Sequence, residues 1–142
     1  MEHIKDCIAA LREAAPEIDI AENELMRRHT TFAIGGPADL FVQPKTRREL
    51  TAALAVLRER NIPFLLLGNG SNTLFDDAGF DGAVIDMRGL SGMENSGLDT
   101  DAMRITAGAG QTLGRLCSKA QTLGLTGLEF ACGIPGTVGG AP

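Results

Sequence analysis

A glycine-rich segment after a short apolar run has the residue types that bind an anion through the backbone. The run is Phe64 to Leu67, whose length fits a buried strand, and the segment is Gly68-Asn69-Gly70-Ser71-Asn72. Glycine tolerates a positive φ and leaves main-chain N–H groups uncovered, while asparagine and serine add short polar side chains. Phosphate is the commonest anion at such a position. The composition predicts a phosphate-binding loop, with a plain surface turn as the alternative.

A second glycine-rich stretch runs from Gly133 to Gly140 and reads Gly-Ile-Pro-Gly-Thr-Val-Gly-Gly. It carries no charge, so backbone N–H and C=O groups are its main polar equipment. A planar, partly apolar ligand could lie against such a surface, as flavin rings do. This stretch predicts a cofactor-binding surface, and a flexible glycine loop is the alternative.

Two common nucleotide motifs are not matched. The dinucleotide fingerprint G-x-G-x-x-G would need a third glycine at position 73, which is Thr73. The spacing from Gly108 through Gly110 to Gly114 is one residue too long for that fingerprint. A phosphate loop with G-K-[ST] does not occur in the sequence.

The elements around the first segment form a predicted β-α-β unit. Residues 38–43 and 64–67 are typical of strands, and the pair Thr46 and Glu49 predicts a capping box for a helix over 46–61. The crossover places the two strands parallel, with the Gly68 loop at a carboxyl end, where α/β folds bind ligands. An amphipathic helix from Ile4 to Ala15 precedes this unit.

Shorter elements follow. Residues 83–87 and 104–107 are predicted strands, 91–101 a hairpin-like excursion, and a helix starts near Thr112 and ends at Gly124. We place a boundary near residue 82, with one lobe over 1–82 and the start of a second lobe over 83–142.

Composition excludes several classes of function. The chain has 44% apolar and 22% charged residues and a net charge of −5, which predicts a packed core and no basic surface for nucleic acid or an anionic membrane. Three distant cysteines without C-x-x-C spacing indicate reduced thiols rather than disulfides or a metal site. No apolar run is long enough for a signal peptide or a membrane span. We expect a cytoplasmic protein.

Three motifs in order resemble the bacterial UDP-N-acetylenolpyruvoylglucosamine reductases. They are HTTFAIGGPAD at 29–39, LGNGSN at 67–72 and GLTGLEFACGIPGTVGG at 124–140. The resemblance implies an α/β (α+β) fold of the p-cresol methylhydroxylase and vanillyl-alcohol oxidase type, in which two lobes hold FAD without a covalent bond. The fold would be truncated here, with the substrate-binding third domain absent. The implied cofactor-binding residues are Leu67, Gly68, Asn69, Gly70, Ser71, Asn72, Gly133, Ile134, Pro135, Gly136, Gly139 and Gly140.

The resemblance also implies a reaction. NADPH reduces FAD, and the reduced flavin reduces the enolpyruvyl group of a UDP-sugar to give UDP-N-acetylmuramate in peptidoglycan precursor synthesis. The family's catalytic arginine, serine and glutamate lie beyond residue 142, so no catalytic residue is assigned and we expect the chain alone to be inactive. An FAD-dependent sugar or alcohol oxidase of the same fold, or a non-catalytic nucleotide-binding fragment, is the alternative. Exposed apolar surface near Pro142 would favour self-association.

Three single residues have both a chemical and a structural interpretation, and we favour the structural one for each. Cys132 lies where related flavoproteins carry a covalent flavin, but we expect a small packed residue. His29 could reach a phosphate, but a turn-stabilising role is expected. Glu129 has apolar neighbours in the sequence, and we expect it to accept hydrogen bonds from nearby glycine N–H groups.

Overall fold

A four-stranded sheet organises the first part of the chain. The structure is a computed structural model that describes residues 2–94 and 104–141. The strands are β1 (Asp19–Leu25), β2 (Pro37–Gln43), β3 (Phe64–Leu67) and β4 (Phe80–Asp86), and they lie in the order β1-β2-β4-β3. Strand β1 is antiparallel to β2, whereas β2 and β3 are both parallel to β4.

Two amphipathic helices, α1 (Glu2–Ala14) and α2 (Arg47–Glu59), pack on one face of this sheet. The predicted capping box begins α2, since the Thr46 hydroxyl accepts a hydrogen bond from the Glu49 N–H at 3.2 Å. The Glu49 carboxylate in turn accepts from the N–H of Lys45, one residue before the cap, at 2.7 Å. These two bonds satisfy backbone donors where α2 begins.

The sheet separates two apolar clusters, because successive side chains of a strand point to opposite faces. On the helix side, strand residues such as Leu40 and Ile85 pack against Leu11 and Leu57, and all four are fully buried. On the other side, Phe41, Val84 and Leu67 pack with Met26 and Phe75. Both faces of β2 and β4 are therefore covered, as is typical of parallel strands.

The parallel arrangement of the strands on either side of α2 is confirmed, but β4 lies between them. Position 82, where the sequence predicts the boundary between lobes, falls inside β4, and residues on both sides of it pair with β2 or β3. A division at that position would cut the sheet. The division into two lobes stays a prediction, and these pairings favour a boundary after Asp86.

The later part of the chain has less regular structure. A two-stranded sheet joins β5 (Met93–Glu94) to β6 (Thr106–Ala107), and α3 (Leu113–Thr122) follows. Gly124, at φ +70°, ends α3 near the predicted place. The predicted excursion over 91–101 lies mostly outside the described residues. Short 3-10 turns occupy Met26–Arg28, Met87–Gly89, Glu129–Ala131 and Val138–Gly140.

A buried carboxylate stands at the carboxyl end of β4. Asp86 is 2% exposed and accepts bidentate hydrogen bonds from Arg88, with Nε to Oδ1 at 2.9 Å and Nη2 to Oδ2 at 2.8 Å. The amide of Gln43 donates to the same carboxylate at 3.1 Å. Burial raises the pKa of Asp86, but the hydrogen bonds from Arg88 and Gln43 outweigh burial and hold the pKa below its usual value. Asp86 therefore stabilises the fold as a charged group.

We expect Asp86→Asn to lower the free energy of unfolding by about 2–3 kcal/mol at pH 7, since it removes the charge that Arg88 and Gln43 compensate. Denaturant unfolding measures this loss. Asp81→Asn is the matched control, because Asp81 is exposed on the same strand.

The pH dependence of the loss separates a charge effect from a packing effect. A carboxyl with a lowered folded pKa stabilises the protein above its unfolded pKa of about 3.9, and this stability is lost as the pH falls through the folded value. The difference between the wild type and Asp86→Asn should therefore shrink below about pH 4. A difference that grows on acidification would contradict this assignment.

Candidate functional site

A cleft of about 330 Å³ lies between the two glycine-rich stretches found in the sequence. One wall is residues 68–73, which we call the first glycine segment, and the other is residues 134–137 with 140–141, part of the second glycine segment (133–141). Leu113, the first residue of α3, completes the lining. Two stretches more than 60 positions apart in sequence thus share one crevice, which we call the glycine cleft.

The second glycine segment is hydrogen bonded to the residues that lead into α3. The N–H of Leu113 donates to the Gly136 carbonyl at 3.1 Å, and the N–H of Val138 donates to the Gln111 carbonyl at 2.8 Å. A third bond joins the Gly139 N–H to the Ala109 carbonyl at 2.9 Å. These bonds fix the segment as an antiparallel partner of residues 109–113, so it is not a free glycine loop.

The two walls touch each other directly. The hydroxyl of Ser71 donates to the Pro135 carbonyl at 2.9 Å. A Cβ at position 68 would lie 2.5 Å from the Thr137 hydroxyl oxygen, so a larger residue there would require the Thr137 side chain to move. Thr137 is 1% exposed and lies where the walls meet. The two walls are therefore in close contact at Gly68 and Thr137.

The first glycine segment presents backbone N–H groups. Gly70 has φ +63°, and a Cβ there would overlap the carbonyl oxygen of His29. The carbonyl of Gly70 accepts from the N–H of Thr31 at 3.0 Å. Over the ranges 2–94 and 104–141, the N–H groups of residues 69–72 donate to no other group of the chain. Four consecutive N–H groups at the edge of the cleft are therefore without a partner in the described chain.

The glycine cleft is lined by uncharged residues only, as far as the described part of the chain shows. Backbone N–H groups and the side chains of Asn69, Ser71 and Asn72 are its hydrogen-bonding equipment. Uncovered N–H groups in a glycine turn suit an anion such as a phosphate or diphosphate. The volume is at the low end of the range of about 300–1,000 Å³ for ligand pockets, so the cleft fits part of a dinucleotide.

Most of the predicted cofactor-binding residues line this cleft. Those that do are Gly68, Asn69, Gly70, Ser71, Asn72, Ile134, Pro135, Gly136 and Gly140. Gly139 lines an adjoining hollow of about 120 Å³ that also includes Gly68 and Gly140. Leu67 is 1% exposed in the core, and Gly133 is exposed outside the lining.

Sequence reasoning missed four lining residues: Thr73, Leu113, Thr137 and Ala141. Thr137 was inside the second predicted stretch, where its hydroxyl was the one side-chain signal available. Leu113 reads as part of the apolar stripe of α3, so nothing local in the sequence distinguishes it.

The three single residues have the following environments. The ring of His29 stacks on Phe41 at 4.1 Å between centroids and lies 3.0 Å from the Glu24 carboxylate, which supports the structural role. The Glu129 carboxylate accepts from the Gly127 N–H at 2.7 Å, as expected, although Glu129 is exposed. The expectation of a packed Cys132 is wrong, because this thiol lies exposed at the end of a surface turn.

Glu24 and Arg88 connect His29 to the sheet. The hydrogen bond from His29 lowers the pKa of Glu24, and the Arg88 guanidinium lies 3.3 Å from the His29 Nδ1. Within the described part of the chain, no group of three or more His, Cys, Asp or Glu could hold a metal ion. The described helices include none long and apolar enough to cross a membrane.

Known proteins resemble this chain over most of its length. Residues 38–142 match the family described as FAD binding domain. The sequence is 44% identical over 138 residues to the UDP-N-acetylenolpyruvoylglucosamine reductase of Geobacter sulfurreducens, an alignment that covers 97% of this chain and 45% of that protein. The chain thus spans less than half the length of this relative.

Solved structures agree on the fold. The UDP-N-acetylenolpyruvylglucosamine reductase (MurB) of Thermus caldophilus superposes with a TM-score of 0.60 at 34% identity, over 88% of this chain and 41% of that one. A p-cresol methylhydroxylase superposes with a TM-score of 0.61 at 14% identity, over 88% and 26% of the two chains, which shows the fold alone. The predicted mixed α/β fold of the FAD-binding type is confirmed.

We expect Gly70→Ala to destabilise the protein more than Gly124→Ala. Both glycines have a positive φ, at +63° and +70°, but a Cβ at 70 meets the His29 carbonyl whereas a Cβ at 124 meets nothing within 4 Å. The left-handed conformation alone costs about 1–2 kcal/mol, and position 70 adds the overlap. Thermal unfolding of the two variants measures the difference. Equal losses would contradict the close packing described for the first glycine segment.

Proposed function

We propose a function from the premise that this chain belongs to the FAD binding domain family, which its residues 38–142 match. The chain is the FAD-binding part of a UDP-N-acetylenolpyruvoylglucosamine reductase. The observation that carries this proposal is the glycine cleft, in which two separate glycine-rich segments meet and the N–H groups of residues 69–72 have no partner in the described chain. The identity to reductases of this name over nearly the whole chain supports the choice among FAD-binding proteins.

The residues present fit FAD. The diphosphate would lie against the N–H groups of residues 69–72, which have no partner within the described chain. The isoalloxazine edge would meet the backbone of the second glycine segment, where Ile134 is 46% exposed. Neutral donors hold a diphosphate by dipoles rather than by full charges, which agrees with the uncharged lining. Leu67 and Gly133 do not line the cleft. We propose that they contribute to binding indirectly, by holding the neighbouring residues of the two segments in place.

The proposed reaction reduces the enolpyruvyl group of a UDP-sugar with NADPH, in peptidoglycan precursor synthesis in the cytoplasm. When bound, FAD supplies the hydride acceptor and donor for this reduction. The part of the chain described here binds and orients the cofactor. We assign none of its residues to proton transfer at the substrate. Phe130, 76% exposed, and Leu74, 66% exposed, support the further expectation that the chain self-associates.

FAD should stabilise the 142-residue chain. A ligand that binds only the folded state adds about 2.7 kcal/mol at a concentration one hundred times its Kd, so the melting temperature should rise with FAD and the flavin fluorescence should be quenched. Riboflavin, which has the ring but no diphosphate, is the control and should have a much smaller effect. An unchanged melting temperature at millimolar FAD would contradict the proposed cofactor.

We expect no reductase activity from the 142-residue chain supplied with FAD. The substrate-side groups are not among the residues we assign, and catalysis needs them in place. The assay measures NADPH oxidation with and without the enolpyruvyl UDP-sugar. A separate measurement follows the oxidation of the reduced flavin by oxygen, and a rapid reaction would favour the alternative function, an oxidase. Substrate-dependent NADPH oxidation by the isolated chain would contradict the expectation.

A further inference from the structure

Thr31 lies directly behind the first glycine segment and binds two of its carbonyls. Its N–H donates to the Gly70 carbonyl at 3.0 Å. Its hydroxyl lies 3.3 Å from the carbonyl oxygen of Gly70 and 3.3 Å from that of Ser71. Thr31 itself is not part of the lining of the glycine cleft. It therefore contacts the carbonyl side of the segment.

The bonds from Thr31 also fix the direction of two neighbouring N–H groups, because the peptide bond is planar. In a trans peptide the C=O of one residue and the N–H of the next point in opposite directions, and the described chain contains no cis peptide bond. When Thr31 holds the carbonyls of Gly70 and Ser71, the N–H groups of Ser71 and Asn72 must point away from Thr31. Both residues line the glycine cleft, and neither N–H has a partner within the described residues.

The position of Thr31 is fixed by its neighbours. Thr30 is 8% exposed, and its carbonyl accepts from the Ala33 N–H at 3.2 Å. His29 stacks on Phe41, and its carbonyl is packed against Gly70 so closely that no Cβ fits there. Since residues 29 and 30 are anchored to the core, Thr31 is a fixed point against which the glycine segment is held.

We propose that Thr31 is a positioning residue that aims the N–H groups of Ser71 and Asn72 at a diphosphate. This inference rests on the proposed function in one respect: there, the diphosphate is that of FAD. The residue acts through the backbone and does not touch the ligand. A charge-assisted hydrogen bond to a correctly aimed N–H is stronger than one between neutral groups, so the aim of two donors determines much of the affinity.

The test compares three variants. Thr31→Val removes the hydroxyl and keeps the shape and the N–H, Thr31→Ser restores a hydroxyl, and Thr51→Val removes a hydroxyl that bonds only its own helix, at the Arg47 carbonyl. We expect Thr31→Val to weaken FAD binding about tenfold, with Thr31→Ser close to the wild type and Thr51→Val unchanged. Riboflavin binding should not respond to any of the three, because it has no diphosphate.

NMR spectra of the Ser71 and Asn72 amides are a second readout, which reports directly whether these N–H groups contact the diphosphate. In ¹⁵N–¹H spectra of the wild type, inorganic pyrophosphate and FAD should each shift the amide signals of Ser71 and Asn72, and Thr31→Val should reduce both shifts. Unchanged FAD affinity in a folded Thr31→Val, or wild-type amides of Ser71 and Asn72 that ignore pyrophosphate, would overturn the inference. If Thr31→Val does not fold, the inference is tested by the amide shifts of the wild type and by the FAD affinity of Thr31→Ser.

The two proposals fail in different ways. Pyrophosphate shifts that depend on Thr31, in a chain that does not bind FAD, would refute the proposed cofactor and support the positioning role. FAD binding without shifts of the Ser71 and Asn72 amides would support the cofactor and refute the positioning role.

Discussion

The candidate site depends on one close backbone contact, between residues 29–31 and the first glycine segment. Gly70 packs against the His29 carbonyl with no space for a side chain, and Thr31 holds the neighbouring carbonyls. By our inference, this contact directs the N–H groups of Ser71 and Asn72 toward the glycine cleft. Ser71 then reaches Pro135 on the opposite wall, so the same contact sets the distance between the walls. Glycine is required at position 70 because a Cβ there would overlap the His29 carbonyl.

The charged groups near the glycine cleft lie outside its lining. The lining of the glycine cleft is neutral, while charged groups of the sheet and of the residues that follow its strands bind each other. Asp86 binds Arg88, Arg88 reaches His29, and His29 binds Glu24. This chain of polar contacts joins strand β4 to the segment that supports Thr31. The ion pair of Asp86 and Arg88 is therefore linked to His29, whose carbonyl packs against Gly70.

The sequence predicted those features of the structure that depend on interactions between residues close together in the chain. The Thr46 capping box, the stripe of α2 and the turn chemistry of the two glycine segments each depend on residues a few positions apart, and each is present. The insertion of β4 between β2 and β3 was not predicted, because strand partners are chosen by packing over long separations. Thr31 was missed for the same reason, since its carbonyl partners lie 39 and 40 positions further along the chain.

We propose that the two glycine segments form one FAD site, in which the first binds the diphosphate and the second lies against the flavin ring. A crystal structure of the chain with FAD is the most direct measurement of it. We expect diphosphate oxygens at about 2.7–3.2 Å from the backbone nitrogens of residues 69–72, with the flavin ring against the second glycine segment. FAD bound elsewhere, or a diphosphate without contact to those nitrogens, would contradict it.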